Sequence, residues 1–266
     1  MMMTYDDSEK MMTLLKKKVA LITGAASTRG QAIAKKFVQQ GARVILADIM
    51  PGPCQILAGE LNEDKKEDEH VAHALSCDVR NVEQLKDLVR EAQSKFSKHQ
   101  QLDIFYNNAG VTHLESNINV KTYNTSMEVN VLALLQSIDL VGKVMSDNGS
   151  GCIICTGSTM GLLGDEMLPS AYSITKRAVI DVVRAKAAEL GKVGVRVNAI
   201  SPHVAAASVD KSGLKQILPL ASDEQLEAVI KEDVANAAVY LASNESKGVN
   251  GQNIVLNGHT KFHFAY

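Results

Sequence analysis

The chain has 266 residues, room for one large domain or two small ones, and its 45% hydrophobic and 22% charged content is that of an ordinary globular protein. That composition excludes disordered, fibrous and disulfide-stapled classes. A formal charge of −2 and an isoelectric point near 6.4 give no basic footprint for nucleic acid or anionic lipid, so a small molecule is the expected partner. Four cysteines are too few for a secreted scaffold. The opening MMMTYDDSEKMMTLLKKK sets acids ahead of its apolar residues, unlike a signal peptide, and no other stretch is expected to reach bilayer-spanning length. The expected location is the cytoplasm, with no membrane association.

In chain order, residues 1–17 are expected to form a flexible tail. Short β-branched runs then alternate with amphipathic segments. The strand candidates are Val19–Thr23, Arg43–Ala47, Val71–Ser76, Asp103–Asn107, Cys152–Thr156, Val195–Ser201 and Asn253–Asn257. Helical patterns lie between them, among them Gln31–Gln40, Val82–Phe96 and Ala171–Gly191. Such alternation demands a parallel sheet covered on both faces. With no internal repeat and no linker, residues 18–266 read as a single doubly wound α/β domain, with a substrate loop at about 203–232.

Several features have plain explanations. The charged run Leu61–His70 reads as a solvated helix end and loop. Cys152 and Cys155 are three apart on a strand, so they point to opposite faces and cannot share a metal or an ordinary disulfide. The seven histidines are scattered and show no metal-binding spacing.

The first strand runs into a glycine-bearing turn and a helix, VALITGAASTRGQAIAKKF. In a βαβ unit this offers backbone N–H groups and a helix dipole to a pyrophosphate. Asp48, closing the second strand, is placed to accept hydrogen bonds from ribose hydroxyls and to repel a 2′-phosphate, which favours NAD over NADP. Asp78 is placed to meet the adenine end or, alternatively, to cap the next helix. Later, Tyr172 and Lys176 are four residues apart and share a helix face, so the ammonium is expected to lower the phenol pKa. Ser158, fourteen residues before Tyr172 at a strand end, can bind the same substrate oxygen.

The glycine turn, the NNAG run Asn107–Gly110, Asn130 in MEVNV, and the Ser–Tyr–Lys set together resemble the short-chain dehydrogenase/reductase family from about Lys18 to Gly258. The resemblance implies a Rossmann-like parallel sheet of seven strands and a catalytic tetrad of Asn130, Ser158, Tyr172 and Lys176. In it the tyrosine exchanges a proton with substrate, the lysine binds the nicotinamide ribose and the asparagine holds a relay water. The NAD site it implies comprises Gly24, Ser27, Thr28, Arg29, Gly30, Asp48, Asp78, Val79, Asn107, Ala109, Gly110, Tyr172, Lys176, Pro202 and Ala205. Family members commonly form homotetramers or homodimers through the long helices that here carry Asn130 and Tyr172. The segments LDIFYNNAGV and DVANAAVYLASNESKGVNGQNIVLNG look most like plant members acting on terpenoids and lignans.

Three positions depart from the family pattern. Thr28 stands at the middle glycine of the turn with Arg29 after it, a change expected to crowd the pyrophosphate unless Arg29 pairs with it. Ala207 replaces a threonine that holds the carboxamide, and His259 follows Asn257-Gly258 where plant relatives carry Asp-Gly-Gly. Apolar residues suited to a pocket with one oxygen-binding corner are Met160, Leu162, Leu163, Met167, Leu168, Val209, Leu214, Ile217, Leu218 and Leu220. His113 and His203 flank its expected mouth. Phe262, Phe264 and Tyr266 alternate in the C-terminal KFHFAY. The turn variant AASTRG is similar to that of nepetalactol-related members from iridoid-making plants, some NAD-dependent dehydrogenases and some cyclases that bind NAD without net redox chemistry. Because the departures cluster at the cofactor, a cyclase closing 8-oxocitronellyl enol to nepetalactol ranks first, with NAD as a structural element. An NAD-dependent dehydrogenase of a terpenoid alcohol or lactol ranks second, and a catalytically idle NAD-binding partner third.

Overall fold

The computed structural model describes residues 13–96, 101–112, 119–162, 171–202 and 223–256, with side chains left undescribed over 223–230. The strands are β1 (Val19–Thr23), β2 (Arg43–Asp48), β3 (Ala72–Ser76), β4 (Ile104–Asn107), β5 (Gly151–Thr156), β6 (Val195–Pro202) and β7 (Asn253–Leu256). All pair in parallel in the order β3-β2-β1-β4-β5-β6-β7. The helices are α1 (Thr28–Gln39), α2 (Pro51–Asn62), α3 (Val82–Lys95), α4 (Val120–Met127), α5 (Ala133–Asp147), α6 (Ala171–Leu190) and α7 (Asp223–Ala242). The expected seven-stranded, doubly wound, single-domain α/β architecture is present. Strand order reverses between β1 and β4, and a crevice opens at the carboxyl ends of those two strands.

Both faces of the sheet are greasy because each is covered by helices. Along β1, Ala20 and Ile22 point into the layer holding Phe37 of α1, Leu57 of α2 and Leu241 of α7. Val19 and Leu21 point into the layer holding Leu88 of α3, Ile138 of α5 and Val183 of α6. Cys152 and Cys155 fall in opposite layers, as strand alternation requires, and both thiols are free. Burial pushes them up to about 11 and about 12.

Two expectations are corrected. The ordered body begins ahead of Lys18: Leu15 is fully buried, its N–H donates to the Gln40 carbonyl, and Lys17 donates to Gly41. Residues 1–12 lie outside the described part. Also, Val120–Asp147 runs helical over 28 residues and is long and apolar enough to cross a bilayer on those criteria. Here its Leu134, Ile138 and Val141 edge is buried against the sheet, which is what its apolar residues serve in this fold. That run is α4, a π-helical turn over Glu128–Leu132, and α5.

Candidate active site

The crevice is built first from the turn after β1. Gly24 has φ +64°, and a Cβ there would lie 2.7 Å from the Ala109 nitrogen, so glycine is required by both conformation and space. Ser27 caps α1: its hydroxyl donates to the Gly24 carbonyl (2.8 Å) and accepts from the Gly30 N–H (3.1 Å). The amides of Thr28 and Arg29 have no partner among the described residues. They sit at a helix N-terminus, where an anion is favoured. Thr28 is exposed at the first helical position, so its β-branched side chain points away from the packed turn.

Asp48 holds the turn to the end of β2. One oxygen accepts from the Ala26 N–H and the other from the Met50 N–H, both at 3.0 Å. Asp78 is gripped by Arg80 through side-chain contacts of 2.6, 3.0 and 3.2 Å, which keep its carboxyl below the usual carboxylate range. The helix-cap alternative for Asp78 is not realised, because Asn81 caps α3. Gly24, Ser27, Asp48, Asp78, Val79, Ala109 and Gly110 line one cavity of about 410 Å³ with Arg80, Val111 and Val129. Open amides, a carboxylate wall and a glycine-floored cavity fit the adenosine and pyrophosphate parts of a dinucleotide.

Asn107 ends β4 as a buried residue, while its neighbour Asn108 ties the parts together. The Asn108 amide donates to the Gly24 carbonyl (2.8 Å) and to Ser27 Oγ (3.0 Å), and its oxygen accepts from Thr156 Oγ1 (3.3 Å). Sequence reading passed over it, because an asparagine after a strand carries no local signal of a three-way tie.

The reacting end lies between β5 and α6. Ser158 follows β5, is 1% exposed, and accepts from the Met160 N–H (3.2 Å). Tyr172 and Lys176 occupy the first turns of α6, both buried. The Ser158 and Thr112 side chains stand near enough to the Tyr172 hydroxyl to bear on its pKa. Lys176 Nζ donates to the Thr156 carbonyl (2.8 Å) and stands 5.7 Å from the centre of the Tyr172 ring. Burial, and then the Arg29 guanidinium, push Lys176 down to about 7.

The expected lowering of the phenol by Lys176 is not what this arrangement gives. Burial raises Tyr172 above the usual tyrosine value, and what opposes that rise is Arg29 together with the Ser158 and Thr112 hydroxyls. The Arg29 charge is also felt at Tyr106, which burial pushes up to about 12. No carboxylate among the described residues forms an ion pair with Arg29.

Asn130 lies in the π turn with both amide atoms engaged: Oδ1 accepts from the Val111 N–H (2.8 Å), and Nδ2 donates to the Val111 carbonyl (2.9 Å) and Thr175 Oγ1 (3.0 Å). Pro202 ends β6, buried beside Leu256 of β7. Met160 is buried and Leu162 half-buried. Outside the described residues lie Ala205, Ala207, His113, His203, Leu163, Met167, Leu168, the apolar residues from Val209 to Leu220, Asn257, Gly258, His259 and the C-terminal aromatics.

The tetrad converges beside the cavity, and residues 24–258 match the family model described as Enoyl-(Acyl carrier protein) reductase. The chain belongs to the short-chain dehydrogenase/reductase family. It is 36% identical over 250 residues to a mitochondrial borneol dehydrogenase of Lavandula x intermedia, covering 92% of this chain and 90% of that one. It is 34% identical over 264 residues to secoisolariciresinol dehydrogenase of Forsythia intermedia, covering 92% and 89%. It is 34% identical over 253 residues to a (21S)-21-acetoxyl-apo-melianone synthase of Melia azedarach, again covering 92% and 89%. Short-chain dehydrogenase/reductases are enzymes of NAD or NADP chemistry, and the crevice described above has the parts to hold such a cofactor.

Proposed function

We propose that this short-chain dehydrogenase/reductase is an NAD-dependent dehydrogenase that oxidises the hydroxyl of a terpenoid alcohol or lactol. The observation that carries this reading is the joint presence of an intact cofactor crevice and a converged Ser158–Tyr172–Lys176 set on either side of Gly110. Its plant relatives named for borneol add support for the substrate class. Asp48 favours NAD, since a 2′-phosphate would meet a carboxylate already fixed by two amides.

When bound, the nicotinamide supplies the hydride acceptor. Asp48 would hold the adenosine ribose, the open amides of Thr28 and Arg29 the pyrophosphate, and Asp78 and Val79 would border the adenine. Tyr172 would receive the hydroxyl proton of the substrate at its Oη once it has passed on its own, which its raised value makes the demanding part. Ser158 and the phenol fix that substrate oxygen between them. Lys176, with a value near 7, can give or take a proton close to neutrality. Burial of Tyr172 keeps competing water from the phenol oxygen.

A second reading, a cyclase forming nepetalactol without net redox change, draws on Arg29. A cation whose charge is felt at Tyr172 and Lys176 would help to stabilise an enolate oxygen and needs no hydride step. One experiment separates the two readings. Purified protein is given borneol or nepetalactol with NAD or NADP, and 8-oxocitronellyl enol with and without NAD. The dehydrogenase predicts absorbance at about 340 nm growing with alcohol or lactol and NAD, more weakly with NADP. Ring closure of the enol with flat absorbance throughout would replace it by the cyclase.

A further inference from the structure

Ser158 lies between two buried glycines, Gly157 and Gly161, and each stands where even a methyl group has no room. We propose that Gly157 and Gly161 are positioning residues, setting how far Ser158 stands from helix α6 and so from Tyr172 and Lys176.

The serine is hemmed in from both sides. Gly161 closes a single 3-10 turn over Thr159–Gly161 that Ser158 caps, its hydroxyl accepting from the Met160 N–H (3.2 Å). The Gly161 N–H donates to the Ser158 carbonyl (3.1 Å), so the two residues are tied to move together. A Cβ on Gly161 would lie 2.6 Å from the Lys176 carbonyl carbon, 2.7 Å from the Arg177 nitrogen and 2.9 Å from the Lys176 carbonyl oxygen. All three are backbone atoms of α6, fixed by the helix and unable to turn aside. On the other side, the Gly157 N–H donates to the Ile200 carbonyl of β6 (2.8 Å), and a Cβ on Gly157 would overlap Ser201 Oγ. That hydroxyl is itself held, donating to Asn253 Oδ1 of β7 (2.7 Å).

Lys176 completes the frame, because its Nζ donates to the Thr156 carbonyl (2.8 Å), one residue before Gly157. The lysine therefore meets the serine-bearing segment at both ends, through its backbone at Gly161 and through its amine at Thr156. Non-bonded heavy atoms rest about 3.5–4.0 Å apart, so a methyl on Gly161 would push the serine turn off α6 by about 1 Å. A misplacement of that size at a reacting group is worth about a hundredfold in rate. The assignment rests on Ser158 holding the reacting oxygen in the proposed oxidation.

The test puts a methyl on each glycine. With the alcohol and NAD, Gly161→Ala should lower turnover about a hundredfold. The same change in a Ser158→Ala background should cost less than about threefold, because the residue it acts through is gone. Equal fold losses in the two backgrounds overturn the assignment. Gly157→Ala should lose less than Gly161→Ala, since a hydroxyl yields more readily than helix backbone. Adding Ser201→Ala removes that hydroxyl and should bring the rate back to within about twofold of Ser201→Ala alone. A double variant no faster than Gly157→Ala overturns the assignment too, and this pair decides it should Gly161→Ala not fold. Crystal structures of the cofactor-free parent and of each folded alanine variant should show Ser158 Oγ shifted from its parent position, by about 1 Å in Gly161→Ala. An unmoved Ser158 counts against the proposal whatever the rates. If the parent turns over no alcohol or lactol, the dehydrogenase reading fails while the crystal structures still decide the role of the glycines.

Discussion

At the adenosine end of the crevice the chain answers its own polar groups. Asp48 receives two backbone amides, Asp78 is held by Arg80, and Asn108 binds the glycine turn to β4 and β5. At the reacting end, Lys176 is buried on a single carbonyl, no carboxylate pairs with it among the described residues, and Tyr172 is kept above its usual value by burial. One end is built for rigid recognition and the other holds ionisable groups in surroundings that disfavour their charge. Substitutions should therefore cost stability at the first and activity at the second.

The largest expected effect tests the reacting end. Tyr172→Phe should lower turnover about a thousandfold, the scale of a lost acid–base group, while cofactor affinity stays within about twofold. Initial rates and a fluorescence titration with NADH read the two quantities, and a comparable loss of affinity would erase the distinction between the ends. Next comes Gly24→Ala. A methyl at φ +64°, pressed 2.7 Å from the Ala109 nitrogen, should cost about 3 kcal/mol and lower Tm by about 10 °C, which calorimetry measures. A shift of a degree or less would show that the turn yields.

The smallest effect has the opposite sign. Lys176 is pushed down to about 7 from 10.5, so between those values the unfolded chain binds the extra proton and stability rises with pH. Lys176→Met removes that burden, offset in part by the bare Thr156 carbonyl. It should raise Tm by about 2–4 °C at pH 7, with a smaller gain at pH 10. Thermal melts of the cofactor-free protein at both pH values decide it, and a lower Tm at pH 7 would mean the buried ammonium is better accommodated than its surroundings imply.

The strands were legible because buried β-branched runs between turn residues have few other uses: RVILA predicts Arg43–Ala47 and the strand ends one residue later, at Asp48. Helix α2 was less so, for it opens on Pro51 and buries only Cys54, Leu57 and Ala58, too narrow a stripe to stand out. The Tyr172–Lys176 pair could be read from spacing, since a residue four positions on returns to the same helix face, whereas Asn130 came only with the family resemblance. Spacing does not encode what a side chain meets across the fold. The sequence predicts a lysine that acidifies the tyrosine, whereas Lys176 spends its proton on Thr156 and it is Arg29, arriving from α1, whose charge is felt at the phenol. Asn108 escaped for the same reason, its partners lying in the turn after β1 and on β5.

The wide turn at Glu128–Leu132 has a consequence for how this chain can change. A π turn carries one residue more than the α-helical repeat, and each residue of an α-helix advances the phase by about 100°. Deleting any single residue there would straighten the rod and rotate α4 against α5, so Asn130 could not face Val111 while Leu134 and Ile138 kept to the sheet. Length variation among descendants of this gene should thus be silent in that segment, and any that survive a deletion should have lost the Asn130 clamp along with it.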